Sequence, residues 1–175
     1  MRPIKGFTLI EMMVVLMIVA VLAMFAYPAY QALMARVESK NISSTLLETF
    51  RRAKISAMMH QKDTIMCLTN ASGHCDRYGQ AGVLVFVDNN YNNRFDNLDI
   101  LVHSQQFELR YGKLQMNASL GRSHMKFMGD TAKPRGNFGN IRYCSDANQQ
   151  LSHQIVLNMH GNLSVKKEKT TEHCQ

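Results

Sequence analysis

"KGFTLIEMMVVLMIVAVLAMFAYPAYQ", residues 5–31, decides the fold of this chain. Between positions 7 and 26 only Thr8 and Glu11 interrupt the hydrocarbon. A helix of that length rises about 30 Å, the thickness of the apolar core of a bilayer. A carboxylate at position 11 is costly in such a setting unless it is paired. Arg2 and Lys5 stand on the short N-terminal side. The positive-inside rule therefore predicts a cytoplasmic N-terminus and a C-terminal part across the membrane. A cleaved secretory signal would share the basic start. The apolar run exceeds a usual signal core, however, and Tyr27 and Pro28 break up the small residues between Ala23 and Ala29 where a cleavage site would fall.

The chain has 175 residues and a formal net charge of +7. Removing the N-terminal element leaves roughly 115 to 120 residues, enough for one sheet-based domain. The charged fraction is ordinary, which argues against disorder. Cys67, Cys75, Cys144 and Cys174 all fall in the exported part. An even count in an oxidising compartment predicts disulfides. Of the available connectivities the preferred one pairs Cys67 with Cys75, closing a tight local loop, and Cys144 with Cys174, tying down the C-terminal tail. No C-x-x-C pair occurs and the histidines are scattered, so the cysteines do not read as a zinc site.

After Pro28 the sequence stays helix-compatible to about His60 but becomes amphipathic. Tyr30, Leu33 and Val37, then Ile42, Leu46, Phe50, Ala53 and Ala57, recur at steps of three and four, with charged residues between them. Proline inside a helix removes a hydrogen bond and favours a kink. Downstream, short alternating runs bounded by Gly, Asn, Asp and Ser predict strands. They are "TIMCL" (64–68), "GVLVFVD" (82–88), "DILVH" (99–103), "FELRY" (107–111), "KLQMN" (113–117), "HMKFM" (124–128), "NIRYC" (140–144), "QIVLNM" (154–159) and "NLSVK" (162–166). "NMHGNLSV" predicts a hairpin turning at His160 and Gly161. The fold class expected is α+β, a long helix packed on an antiparallel β-sheet domain, because that arrangement buries both apolar faces.

"KGFTLIE" resembles the class III signal of the type IV pilin and type II secretion pseudopilin superfamily: a short basic leader ending in glycine, then phenylalanine, then an apolar helix with glutamate at its fifth position. The resemblance implies that a prepilin peptidase cuts between Gly6 and Phe7 and methylates the new amino terminus on Phe7. Pro28 matches a proline common in these helices. "GVLVFVDNNYNNRFD", "DILVH", "GNIRYC" and "IVLNMHGNLSV" are similar to the FimU/FimT/GspH family of minor pilins and pseudopilins. The expected organisation is a leader over 1–6, a transmembrane and polymerisation helix over 7–29, its amphipathic continuation over 30–60, and a β-rich globular domain over 61–175. Implied partners are other major and minor pilins or pseudopilins, the peptidase and the inner membrane. The expected path runs from single-pass inner-membrane subunit to assembled fibre. Glu11 is expected to serve subunit assembly by pairing with the positive N-terminus at Phe7, on the same subunit or a neighbour. In the DNA-binding branch of the family a G-R-x-R motif lies near the C-terminus. The aligned positions here read Gly161, Asn162, Leu163 and Ser164.

Two further constellations carry chemistry. Asp88, Asn90, Asn92, the carbonyl of Arg94, Asp96 and Asp99 follow EF-hand spacing and invite calcium, although Asn93 replaces the usual glycine and strands flank the loop. The bland alternative is a hairpin loop rich in asparagine because asparagine tolerates left-handed backbone. Basic residues gather between Arg110 and Arg142 and again at the C-terminus. Of these, Arg122, Lys126, Lys166, Lys167 and Lys169 are candidate DNA contacts, set against a solvated surface as the simpler reading. No G-x-S-x-G, H-E-x-x-H or P-loop occurs, and no enzymatic activity is expected.

Overall fold

The computed structural model describes residues 7–167. One helix, α1 (Leu9–His60), precedes eight strands: β1 (Thr64–Thr69), β2 (Gly82–Val87), β3 (Ile100–Gln106), β4 (Gly112–Ala118), β5 (Met125–Phe127), β6 (Gly139–Ser145), β7 (His153–Leu157) and β8 (Leu163–Lys167). The chain falls into two compact units divided between Met34 and Ala35.

In the first unit the helix carries Pro28 within it, and the side chains of residues 7–33 are all exposed. Valines, leucines, methionines and isoleucines point in every direction around the axis. A helix apolar all round is suited to lipid or to other helices rather than to water. Its length and composition suffice to cross a membrane.

In the second unit the strands form two antiparallel four-stranded sheets, ordered β3-β2-β1-β5 and β4-β6-β7-β8. The sequence pattern predicted antiparallel pairing but not the division into two sheets. The buried helical residues Ala35, Ser39, Ile42, Leu46, Thr49, Ala53 and Ser56 recur in alternating steps of four and three, with Phe50 and Ala57 beside them. They face a core built from both sheets, including Met66 and Leu68 of β1, Leu114 and Met116 of β4, Ile141 and Tyr143 of β6, and Ile155 and Leu157 of β7. Tyr30, Leu33 and Val37, expected on the buried stripe, are exposed instead. Successive helical residues turn by about 100°, so Val37 lies on the side opposite both Ala35 and Ser39. Most of these buried residues are small or hydroxylated, which lets the strands come close and which a search for large apolar side chains passes over.

The expected strand at 107–111 does not form. Phe107 and Leu109 pack against the core, but the backbone N–H groups of Arg110 and Tyr111 donate to the Glu38 carboxylate at 2.8 and 3.1 Å rather than to a neighbouring strand. The predicted hairpin forms. β7 and β8 pair from Leu157↔Leu163 to His153↔Lys167, and the turn between them places Gly161 at φ 80°. The Asn158 side-chain oxygen accepts from the N–H groups of His160 and Asn162 and holds that turn.

The first sheet has a second, smaller core on its other face, made by Ile65, Cys67, Leu84 and Phe86 with Cys75. A disulfide between Cys67 and Cys75 closes one side of it. The Phe95 ring, 5.3 Å from that of Phe86 and tilted by 55°, packs on it from the asparagine-rich loop. Cys144 is also disulfide-bonded, and Cys174, its expected partner, lies outside the described residues.

Candidate assembly site

Three groups of residues bear on function: the start of α1, the contact that Glu38 makes between helix and sheet, and the loops and edges of the globular unit. At the start of α1, Thr8 and Glu11 exchange two long hydrogen bonds. The Glu11 N–H donates to Thr8 Oγ1 at 3.3 Å, and the Thr8 N–H donates to Glu11 Oε2 at 3.5 Å. This is a capping box, which satisfies two of the N–H groups that a helix start leaves without partners. The T-x-x-E spacing announced it, but the carboxylate's cost in lipid drew attention away from its neighbour. Both side chains remain exposed, and among the described residues only one Glu11 oxygen accepts a hydrogen bond. Gly6, expected at the peptidase cleavage point, lies outside the described residues, and Phe7 is exposed just before the cap.

Glu38 binds α1 to the second sheet. Besides Arg110 and Tyr111 it accepts from the Tyr143 hydroxyl at 2.8 Å. Burial raises the Tyr143 phenol far above its ordinary value, and the neighbouring Glu38 adds to that, so the hydroxyl stays a donor. Tyr143 stacks on His153 with ring centroids 5.3 Å apart. Burial also lowers the His153 imidazole from its ordinary 6.5, only partly countered by its bond to the Leu151 carbonyl. The neutral ring suits this place, where Ser39 Oγ sits 3.3 Å from Nδ1. Glu38 escaped sequence reasoning because a glutamate beside an apolar stripe reads as solvated.

The loop with EF-hand spacing is closed by its own hydrogen bonds. Buried Asp88 accepts from the N–H groups of Asn92 at 3.1 Å and Asn93 at 3.0 Å. Asp99 accepts from those of Asn89 at 2.9 Å and Asp96 at 3.0 Å. Asp96 accepts from the Leu98 N–H and from the side-chain amides of Asn90 and Asn92, which together hold its carboxyl below the usual range. The side-chain oxygens of Asn90 and Asn92 accept from the backbone N–H groups of Asn92 and Arg94. Tyr91 and Asn93 both take φ of 60°, the left-handed backbone expected of such a turn. Among the described residues, no group of three or more His, Cys, Asp or Glu side chains is placed to hold a metal.

Two of the candidate DNA contacts are engaged with other side chains. Lys126 pairs with Asp63 at 3.4 Å, where both side chains are nearly enclosed, 13% and 12% exposed. Asp63 also accepts from the Gly129 N–H, so this lysine serves the fold. Arg122 donates to the Asn137 side chain. Lys166 and Lys167 are exposed neighbours on β8 and point to opposite faces of that strand. Lys169 lies outside the described residues. Arg51 and Lys54 of α1, by contrast, line a groove with Phe127, Leu163 and Val165. Both are among the charged residues that stand between the apolar positions of the amphipathic stretch.

A family profile described as the prokaryotic N-terminal methylation motif matches residues 1–27. No curated protein matches the chain. Among solved structures, the chain is similar to the crystal structure of the Pseudomonas aeruginosa (strain PAO1) type IV minor pilin FimU. The sequences are 12% identical, the match covers 80% of this chain and 97% of that one, and the TM-score is 0.58. At that identity the likeness speaks to the fold. The chain joins a prokaryotic N-terminal methylation motif to the fold of a type IV minor pilin.

Proposed function

We propose that this protein is a minor type IV pilin, a structural subunit rather than an enzyme, that contributes to the assembly of a pilus from near its tip. The observation that carries the reading is the methylation motif at 1–27, which runs into the stretch of α1 that is apolar on every side. A prepilin peptidase would cut between Gly6 and Phe7 and methylate Phe7. Residues 7–26 would then hold the subunit in the inner membrane and later pack against helices of other pilins in the fibre core. Glu11 suits the second environment. Its carboxylate would pair with the positive N-terminus of Phe7 on a neighbour, and a pair of opposite charges in a medium of low dielectric fixes axial register. For the loop between Asp88 and Asp99, the hydrogen-bonded web is the reading supported by the geometry, and a saturable calcium isotherm by titration calorimetry would overturn it.

The test is Glu11→Ala in cells. Leader removal should proceed as in the parent, while the mutant subunit is absent from sheared fibres. A mutant incorporated at the parental level overturns the assembly role. Deleting the gene and scoring twitching, protein secretion and transformation in parallel separates the neighbouring readings. Loss of twitching supports a pilus subunit. Loss of secretion alone assigns the chain to the H-type pseudopilins of type II secretion, and loss of transformation alone to the DNA-binding minor pilins.

A further inference from the structure

Among the described residues the two sheets each end in a strand with one side unpaired: β8 closes the order of one sheet and β5 that of the other. A groove of about 570 Å³ runs between them, floored by Leu47 and Phe50 of α1. Phe127 of β5 and Leu163 and Val165 of β8 form its walls, and Arg51 and Lys54 stand on its rim. Strand alternation explains why Leu163 and Val165 share this side. Val165 is 50% exposed, an unusual state for a valine directed toward a core. At one end the groove is shut by the β7–β8 turn, where a Cβ on Gly161 would sit 3.5 Å from the Ala132 carbonyl oxygen and 3.6 Å from Pro134.

We propose that this groove receives an extended, acidic segment of a neighbouring fibre subunit, which adds to β8 as a further strand. The free edge of β8 offers main-chain donors and acceptors, and Val165 and Leu163 offer shallow apolar seats for alternate side chains. The charge selects the partner. Arg52 is paired with Glu48 at 2.5 Å, but Arg51 and Lys54 form no ion pair among the described residues. Among the described residues no acidic side chain lines the groove. Lys166 and Lys167 follow Val165 on the same edge, so a second copy of β8 would bring like charges together, the usual guard against self-pairing. An acidic strand meets no such penalty. That the partner is a fibre subunit rests on the function proposed above, whereas strand addition itself does not.

The test uses the full chain in detergent micelles with two fluorescein-labelled eight-residue peptides, one alternating valine with glutamate and the other valine with lysine. The glutamate peptide should bind, weaken as salt rises, and slow hydrogen exchange at residues 163–167. The lysine peptide should bind at least about tenfold more weakly, and the double substitution Arg51→Glu and Lys54→Glu should reverse that preference. Equal affinity for the two peptides, protection away from β8, or no binding of the glutamate peptide would overturn the proposal. So would displacement of that peptide by a deoxythymidine twelve-mer at similar affinity, which would mark the rim as a nucleic-acid surface. Failure here alongside loss of assembly in Glu11→Ala leaves the subunit role standing.

Discussion

The two stretches of α1 are built from the same kind of element and meet opposite fates. Over residues 7–33 large apolar side chains cover the whole circumference and every one is exposed. Over residues 35–57 the apolar content is lower, yet Ala35, Ile42, Leu46, Phe50, Ala53 and Ala57 are buried. Hydrophobicity therefore does not decide which stretch is covered within one chain. What decides it is whether the apolar residues form a stripe that a sheet can match. The uniform surface of the first stretch leaves it to a different solvent, lipid or a bundle of like helices.

Substitutions along the helix sharpen that contrast, with urea unfolding of the detergent-solubilised full chain, followed by near-UV circular dichroism, as the measurement. Phe50→Ala removes a ring enclosed by both sheets and should cost about 3–5 kcal/mol, whereas Leu16→Ala should leave the unfolding midpoint of the globular unit unchanged. Equal effects would break the comparison. Ala53→Leu inserts volume where helix and sheet are in contact and should cost about 1–3 kcal/mol or more, showing that the small residues of the stripe are required. Tyr143→Phe removes one of the hydrogen bonds to Glu38 while leaving its backbone donors in place, and should cost about 1 kcal/mol.

The pH dependence is smaller in effect and directional. The folded state holds His153 below its ordinary 6.5, so as pH falls the unfolded chain takes up this proton first. The contribution is fully present above about pH 6.5 and is lost as pH drops through the folded value. The urea midpoint should fall between pH 7.5 and pH 5, and less steeply in His153→Phe. His124, also lowered by burial and by Lys126 and Arg122, adds a slope of the same sign that remains in that variant. A midpoint that rises on acidification would contradict the buried neutral ring.

Much of this was legible in local pattern. The helix, its apolar start, the hairpin at Gly161 and the Cys67–Cys75 bridge all depend on residues close in sequence, where spacing alone limits the geometry. The failures share one cause, a partner far along the chain. "FELRY" alternates like a strand, but Glu38, more than sixty residues away, takes the N–H groups of Arg110 and Tyr111. Lys126 was legible as a cation but not as the partner of Asp63, 63 positions earlier. Val37 looked buried because the phase of the stripe was set by Ala35 and Ser39, small residues whose role appears only with strands against them.

The sequence by itself determined that a long helix opens the chain, that its first stretch is unfit for water, and that a β-rich unit follows. These rest on composition and periodicity, which act within a few turns of helix or one strand. Only the tertiary structure decided that the strands divide into two sheets, that one glutamate fastens helix to sheet, and that Arg51 and Lys54 overlook a groove rather than open solvent. Those outcomes depend on which distant groups meet, because a hydrogen bond or an ion pair is satisfied by proximity in space and leaves no mark in local spacing.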